Sequence, residues 1–264
     1  MDKMLVVVLP DEKSAYEARN ALTTLDQEGS ISLYAAEVIA KDASGHVSVK
    51  QEGDQGPLGT LVGLMTGTLV GLVAGPTGAV IGATAGGYGG GMFDLARVGI
   101  GTDFVDEVSG SLKPGKVAVI AEIDEDWVTP VDSRMEALGG EVYRRTRGEV
   151  VDAELSAEQA ALNEEIASMK AEAGKATGEA KAKVQKRVDA ANTRLQGLQS
   201  RAKATLHSEK EQIDAKLRML KDRTAKAKGE KKAGLQQRAD KLRKVSQRTQ
   251  QSEEKWGGAA SKGT

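Results

Sequence analysis

The chain has 264 residues and a formal net charge of −1; 3% of the residues are aromatic and none is cysteine. Its length suits one ordinary domain of about 150 residues with an appendage, and so few aromatic side chains exclude two well-packed globular cores. The lack of cysteine excludes disulfides, thiolate metal ligands and a cysteine nucleophile.

Residues 1–56 alternate between strand and helix patterns. Residues 4–9, MLVVVL, predict a buried strand, and this apolar run is too short for a signal-peptide core. Helical spacing of Ala and Leu over residues 11–27 predicts a helix, and residues 32–41 predict a second strand. Turn residues at 42–45 then lead into a third short strand, HVSVK.

Residues 57–93 contain no charged residue and carry glycine at every fourth position in two successive ladders. Residues four apart share a helix face, and glycine there lets a second helix approach with almost no side chain between the backbones. Without such packing, the ladder glycines would cost very roughly 9 kcal/mol in helix propensity. The sequence therefore predicts two packed helices joined by a turn at Pro76 and Thr77. The predicted helix-packing positions are Gly59, Gly63, Gly67, Gly71, Gly75, Gly78, Gly82, Gly86 and Gly90.

Three interpretations of this glycine-zipper hairpin remain open. Its first arm, residues 58–75, would be roughly 27 Å long, close to the ~30 Å hydrocarbon thickness of a bilayer. The second arm has few large apolar residues, so the hairpin would insert only as a pre-paired unit. A zipper buried in a soluble oligomer is the alternative, and interleaved Leu and Val argue against a disordered linker. In the inserted form, the domain that flanks the hairpin is expected on the cytosolic side.

The elements predicted in residues 94–150 are a helix at 102–112, a strand at 116–123, a helix at 127–138 and a strand at 141–145. The complete order, βαββ then αβ then αβ, is that of a split βαβ or ferredoxin-like sheet with one extra helix–strand unit. The predicted fold class is therefore α+β, with the zipper hairpin inserted after the third strand.

From residue 151 the composition shifts to Ala, Lys, Glu, Gln and Arg, and apolar residues follow at steps of three and four. This pattern mixes seven-residue and eleven-residue repeats, and it predicts a long, coiled-coil-like helical tail over residues 151–255 with a disordered end at 256–264. Glycines are the expected weak points at which the tail would fold into shorter antiparallel helices. They are Gly174, Gly178, Gly197, Gly229 and Gly234.

Charge is divided unequally along the chain. Residues 1–150 hold 12 Lys+Arg and 22 Asp+Glu, a balance of −10, and the remaining residues carry +9. Such an acidic head and basic tail can pair between subunits, or the tail can contact an anionic surface. The interpretations of the tail are a coiled-coil partner helix and a helix on anionic membrane, for which its Ala-rich apolar face is thin. Nucleic acid is disfavoured as a partner, because the basic run lacks interleaved aromatic residues.

Catalytic signals are weak. GSLKPGK, residues 110–116, matches the first seven positions of a phosphate-binding loop, but Val117 stands where Ser or Thr would hold magnesium. The segment also precedes a strand, and it is predicted to be a turn. His46 and His207 lie in unrelated contexts and are predicted to be surface residues.

An acidic cluster ends the predicted fourth strand and consists of Glu122, Asp124, Glu125 and Asp126. It lacks calcium-loop spacing and would bind a divalent cation only loosely, whereas acidic residues before a helix interact favourably with its N-terminal dipole. The sequence therefore predicts no catalytic residue, no cofactor and no metal site.

The opening strand and helix, the zipper LVGLMTGTLVGLVAGPTGAVIGATAGG and the later α/β elements resemble a bacterial family of predicted membrane proteins known only as a domain of unknown function. The resemblance covers about residues 3–148 and leaves the tail outside. It implies membrane association and supplies no catalytic residues.

The function expected from the sequence is that of a non-enzymatic, membrane-associated scaffold that self-assembles through the zipper hairpin and the tail. Its expected location is the cytoplasmic membrane, with the α/β domain and the tail in the cytosol. The expected partners are further copies of the chain, membrane lipid and a helical protein bound by the tail. The alternatives are a cytoplasmic particle or filament with the zipper as its buried core and, more weakly supported, a ligand-sensing module.

Overall fold

The computed structural model describes residues 2–51, 58–73, 102–146, 150–175 and 177–259. Within these ranges the protein is of mixed α+β class, with a five-stranded antiparallel sheet and seven helices. The predicted class and the long helical tail are confirmed. The second zipper arm, with its predicted turn at Pro76 and Thr77, lies outside the described residues.

Five strands form one sheet in the spatial order β3-β2-β4-β1-β5. The strands are β1 (Asp2–Leu9), β2 (Ile31–Lys41), β3 (Val47–Gln51), β4 (Val117–Glu125) and β5 (Glu141–Thr146). Every residue of β4 is buried, because β4 lies between β1 and β2 and both of its faces are covered. Such continuous burial explains why the sequence of β4 reads as an apolar run up to its acidic end.

Helices α1 (Glu12–Glu28) and α4 (Thr129–Glu136) cover one face of the sheet. The Asp11 carboxylate caps α1 by accepting a hydrogen bond of 2.8 Å from the Ser14 N–H. Gly29 ends the helix in the left-handed region, with φ of 83°. The residues of α1 that face the sheet are those whose spacing predicted the helix, namely Ala15, Ala18, Leu22 and Leu25.

Helices α2 (Thr60–Val73) and α3 (Thr102–Ser111) cover the opposite face. Val62, Met65 and Leu69 of α2 are each 0% exposed and belong to the same core as Val6 and Ile120 of the sheet. Thr66 Oγ1 also donates a hydrogen bond of 2.7 Å to Glu37 on β2. The described part of the first zipper arm is therefore a structural layer of the α/β domain.

The tail consists of α5 (Val150–Lys175), α6 (Gly178–Lys226) and α7 (Gly229–Ala259). Two of the five predicted weak points begin new helices, and both Gly178 and Gly229 have positive φ, 57° and 56°. Gly197 and Gly234 lie inside continuous helices. Helix propensity alone does not separate these cases, because packing of an apolar face outweighs the cost of about 1 kcal/mol for an interior glycine.

The chain divides into two compact units, and each unit combines residues from separate parts of the sequence. One comprises Met1–Gly148 and Asp214–Leu242, and the other comprises Glu149–Ile213 and Arg243–Thr264. The middle of the tail thus belongs with the α/β domain. The second unit buries Trp256 to 1% exposure beside Leu198 and Leu206, so α7 continues past the predicted start of the disordered end at residue 256.

In the second unit, α5 and the part of α6 up to Ile213 form an antiparallel pair. Three arginines of α6 approach glutamates of α5, and each step of seven residues forward in α6 is matched by seven residues backward in α5. The pairs are Arg187–Glu172 at 3.7 Å, Arg194–Glu165 at 3.6 Å and Arg201–Glu158 at 3.8 Å. Such exposed pairs contribute little stability but follow the heptad register of an antiparallel coiled coil.

Gly140→Ala should destabilise the α/β domain. An added Cβ would lie 2.7 Å from Val7 Cγ1 and 2.9 Å from the backbone oxygen of Met135, so the turn before β5 must shift. We expect a loss of about 1–3 kcal/mol in the free energy of unfolding, measured by urea denaturation. Gly110→Ala on α3 is the matched control, because its Cβ would meet no atom of the described chain within 4 Å. A loss no larger than that of the control would contradict the close packing at Gly140.

Candidate functional site

The acidic cluster at the end of β4 is the most unusual chemical feature of the α/β domain. Glu122 is 0% exposed, Glu125 2% and Asp124 7%, although carboxylates are seldom buried unless a cation or hydrogen bonds compensate their charge. Proximity to α4, on which the sequence interpretation relied, does not explain such burial. Each of these carboxylates therefore requires a compensating cation or hydrogen bond.

Glu122 is compensated by a lysine from the tail. Lys216 Nζ lies 2.6 Å from Glu122 Oε1, and the two side chains are 0% and 1% exposed. The same ammonium group lies 4.7 Å from the centroid of the Tyr34 ring, within the range of a cation–π interaction. Lys216 is thus enclosed by a carboxylate and an aromatic face, at a position where an unpaired ammonium would be costly.

Further cations of residues 214–242, here called the docked segment, also bind the α/β domain. Arg223 forms an ion pair with Asp26 at the end of α1, and Lys231 donates a hydrogen bond to the backbone oxygen of Gln27. Arg238 donates a hydrogen bond of 3.0 Å to the backbone oxygen of Ser30. The docked segment therefore binds acceptors on the last turn of α1 and on the loop between α1 and β2. We group these two parts with the acidic cluster as the acidic sheet end.

Lys241 of the docked segment binds Asp126, the last residue of the acidic cluster. Its Nζ lies 2.7 Å from Asp126 Oδ1, and this hydrogen bond lowers the pKa of the Asp126 carboxyl. Both side chains are partly exposed, at 44% and 36%, so solvent weakens this pair relative to Lys216–Glu122.

Glu125 is compensated from within the sheet. Lys3 and Arg144 lie 3.1 Å and 2.7 Å from its Oε1, and Arg144 also contacts Asp132 at 2.5 Å. Among the residues that the structure describes, no group of three or more His, Asp or Glu side chains is arranged to hold a metal ion. The acidic cluster thus holds lysine and arginine side chains.

The glycine ladder forms a second candidate site. Gly63 and Gly67 are partly exposed on α2, whereas Gly59 is buried. A Cβ added at Gly63 would meet no atom of the described chain within 4 Å. The structure describes the backbone of Gly71 within α2, and the ladder positions from Gly75 to Gly90 lie outside the described residues.

The GSLKPGK segment, His46 and His207 lie in separate parts of the structure. GSLKPGK spans the end of α3 and the turn before β4, where Gly115 has φ of 84° and its N–H donates a hydrogen bond of 2.7 Å to the Lys41 carbonyl. His46 lies in the β2–β3 turn of the first unit. His207 lies in the second unit, 3.7 Å from Glu253.

Sequence reasoning missed the docked segment, although two signals pointed to it. The acidic head and basic tail have nearly equal and opposite charges. Lys216 also falls three residues after Ile213 and four before Leu220, on the apolar stripe of the tail. A lysine at a core position of an amphipathic helix requires a buried counter-charge, and the acidic cluster provides it.

Part of this chain is similar to a known protein family. Residues 60–167 match a family described as "Protein of unknown function (DUF1269)". The match confirms that part of the chain is similar to a domain of unknown function, but it begins at α2 and extends into α5, unlike the expected range of 3–148. No curated protein and no solved structure matches the chain.

The membrane expectation gains no support from the helices. No helix built from the described residues has both the length and the apolar character that are needed to cross a bilayer.

Lys216→Met should destabilise the α/β domain strongly, because Glu122 would lose its buried counter-charge. We expect a loss of about 3–5 kcal/mol in the free energy of unfolding, and a similar loss for Glu122→Gln. The double variant should recover most of this loss, because it leaves neither charge buried. Urea denaturation of the four proteins measures this coupling, with the exposed Lys221→Met as control. Additive losses in the double variant would show that the two side chains are not coupled.

Acid should weaken the contact of Lys241. Because the pKa of Asp126 is lowered in the folded protein, its contribution is present above the unfolded value of about 3.9 and is lost as the pH falls through the folded value. The difference in stability between the wild type and Asp126→Asn should therefore shrink below about pH 4. Thermal unfolding between pH 3 and 7 measures it, and a pH-independent difference would contradict the ion pair.

Proposed function

We propose that the protein is a non-enzymatic scaffold that self-assembles through the glycine face of α2. The observation that carries this proposal is the division of α2 into two unlike sides. One side is fixed on the sheet by Val62, Met65 and Leu69, and the other presents Gly63 and Gly67.

The geometry of α2 supports contact between copies. Successive helix residues are about 100° apart, so Gly63 and Gly67 lie on the side of α2 away from Met65 and Leu69. The Cβ position of Gly63 is open with respect to the described chain. A helix that packs on this face can approach the backbone closely, which offsets the helix-propensity cost of the glycines.

The strand order supports a ferredoxin-like sheet with the zipper as an insertion. Strands β5, β1, β4 and β2 lie in that order with antiparallel neighbours, and α1 and α4, the helices of the two βαβ crossovers, share one face. β3 extends the edge next to β2, and α2 follows it in the chain. An insertion at this point lies on the face that the crossover helices leave uncovered.

The burial of α2 supports the membrane-independent form of the scaffold, a particle or filament. Insertion of the first arm into lipid would require Val62, Met65 and Leu69 to leave the core of their own domain. A membrane-associated scaffold is the second candidate, and the lack of any charged residue from Pro57 through Phe93 favours it. In both forms the glycine face joins copies, and the tail provides further contacts to copies or to a helical partner.

Gly63→Leu and Gly67→Leu should each abolish assembly, because a leucine would hold the opposing backbone away. Cells that express the chain would be fractionated without detergent, the membrane pellet washed with carbonate, and the soluble fraction sized by light scattering. We expect a large, lipid-free particle for the wild type and a loss of at least about tenfold in the assembled fraction, equivalent to 1.4 kcal/mol, for each variant.

Gly110→Leu is the matched control, since it adds the same side chain on α3 at a position with no neighbour in the described chain. Retention of the wild type in the washed pellet would favour the membrane-associated form. A monomeric wild type in both fractions would overturn self-assembly itself.

A further inference from the structure

The cations of the docked segment lie in one short stretch of sequence, so a second copy of the chain can supply all of them together. Lys216, Arg223, Lys231, Arg238 and Lys241 all lie within residues 214–242 of the chain. Their acceptors lie at the acidic sheet end, on the last turn of α1, the loop that follows it and the end of β4. All five of these cations therefore come from one contiguous piece of the tail.

The Glu122 carboxylate and the Tyr34 ring together form a binding site for an alkylammonium group. Glu122 is 1% exposed at its side chain, and the Tyr34 residue is 4% exposed. Between them lies Lys216 Nζ, 2.6 Å from the Glu122 carboxylate and 4.7 Å from the ring centroid. The lysine and its carboxylate are 94 positions apart in the sequence, so local chain geometry does not require them to belong to the same chain.

We propose that the acidic sheet end also accepts the docked segment of a second copy, whose Lys216 takes the same place between Glu122 and Tyr34. The proposal rests on the proposed self-assembly and names a contact for it that does not involve the glycine face. Exchange of identical elements between copies keeps every native contact, which makes it a low-cost route to association.

The ion pair would make this exchange selective for copies of this chain. A helix without a lysine at the position of Lys216 would leave the Glu122 carboxylate buried without its cation, which costs several kcal/mol. Rejection of wrong partners by an unpaired buried charge is an effective source of specificity. The opposite charges of head and tail, −10 and +9, favour the encounter of one copy's tail with another copy's head.

Charge complementation between two full-length variants tests the exchange. Lys216→Met leaves a carboxylate without its ammonium, and Glu122→Gln leaves an ammonium without its carboxylate. In an exchanged heterodimer, one site regains the native ion pair and the other holds no charge at all. Neither variant can reach this state alone, in cis or with its own copies.

The two variants, one of them isotope-labelled, would be mixed in mild denaturant, returned to buffer and analysed by native mass spectrometry. We expect heterodimers to exceed homodimers by at least about tenfold, and the mixture to unfold at a higher temperature than either variant. The double variant Lys216→Met/Glu122→Gln, mixed with its labelled form, is the control and should show no preference. Hetero-complexes at the statistical proportion, or unfolding as the sum of two separate variants, would overturn the proposal.

A second measurement uses the wild type and does not depend on the folding of the variants. Lys241 and Asp126 are 2.7 Å apart and partly exposed, so a zero-length carbodiimide cross-linker can join them. A mixture of labelled and unlabelled chains should give peptides that contain one labelled and one unlabelled partner. Cross-links confined to chains of a single label would overturn exchange.

The experiments distinguish the absence of exchange from the absence of assembly through the glycine face. Both variants retain Gly63 and Gly67, and the experiment would be repeated in the Gly63→Leu background. Hetero-preference that persists there supports exchange even if assembly through α2 is lost. Large homo-oligomers of each variant without hetero-preference would leave the glycine face as the assembly surface and overturn exchange.

Discussion

The buried ion pair between Lys216 and Glu122 is the constraint on which the α/β domain depends. Glu122 lies in β4, which has neighbours on both sides and helices over both faces. A carboxylate in that position must either find a cation or take up a proton, because desolvation of an unpaired charge is costly. The chain supplies the cation from a helix that begins after the last strand. The domain is therefore incomplete without residues that composition assigns to the tail.

A second constraint acts on α2, which must satisfy two different requirements along one helix. Its aliphatic side fills the core above β2 and β4, and its glycine side carries no bulk. Large side chains at positions 62, 65 and 69 secure the helix to the sheet, so glycine at 63 and 67 does not leave it without tertiary support. This division explains how a glycine-rich segment forms a regular helix within a domain that has few aromatic residues.

Local pattern predicted the strands of this fold well. The bounds of β1, β2, β4 and β5 lie within two residues of those predicted. β1, β2 and β4 are apolar runs that end at turn residues or charges, and β5 begins directly after Gly139 and Gly140. The residues of α1 that spacing placed on one face are the ones that are buried. Such features depend on neighbours in sequence, and a single chain shows them directly.

The docked segment was not predictable in the same way, because its contacts join residues that are about 94 to 208 positions apart. Composition groups residues 214–242 with the rest of the basic tail, and only the place of Lys216 on an apolar stripe marks them as different. Trp256 illustrates the same difficulty. Its glycine neighbours indicate a frayed end, whereas its indole fills a space that Leu198 and Leu206 create. The glycines of the tail are a similar case. They show where the helix can break, but the sequence does not tell that it breaks at Gly178 and Gly229 and continues through Gly197 and Gly234.

Because Glu122 and Lys216 are far apart in the sequence, the ribosome completes the strands of the sheet before it adds Lys216. The last strand ends at Thr146, and Lys216 follows 70 residues later. At about 5–20 residues per second, the ribosome needs roughly 4–14 s to add those residues. During that interval a complete set of strands exists with an acidic end that lacks its own cation. On a polysome, the exchange proposed above would let the tail of a chain further ahead on the same message occupy that end before the chain's own tail has been made.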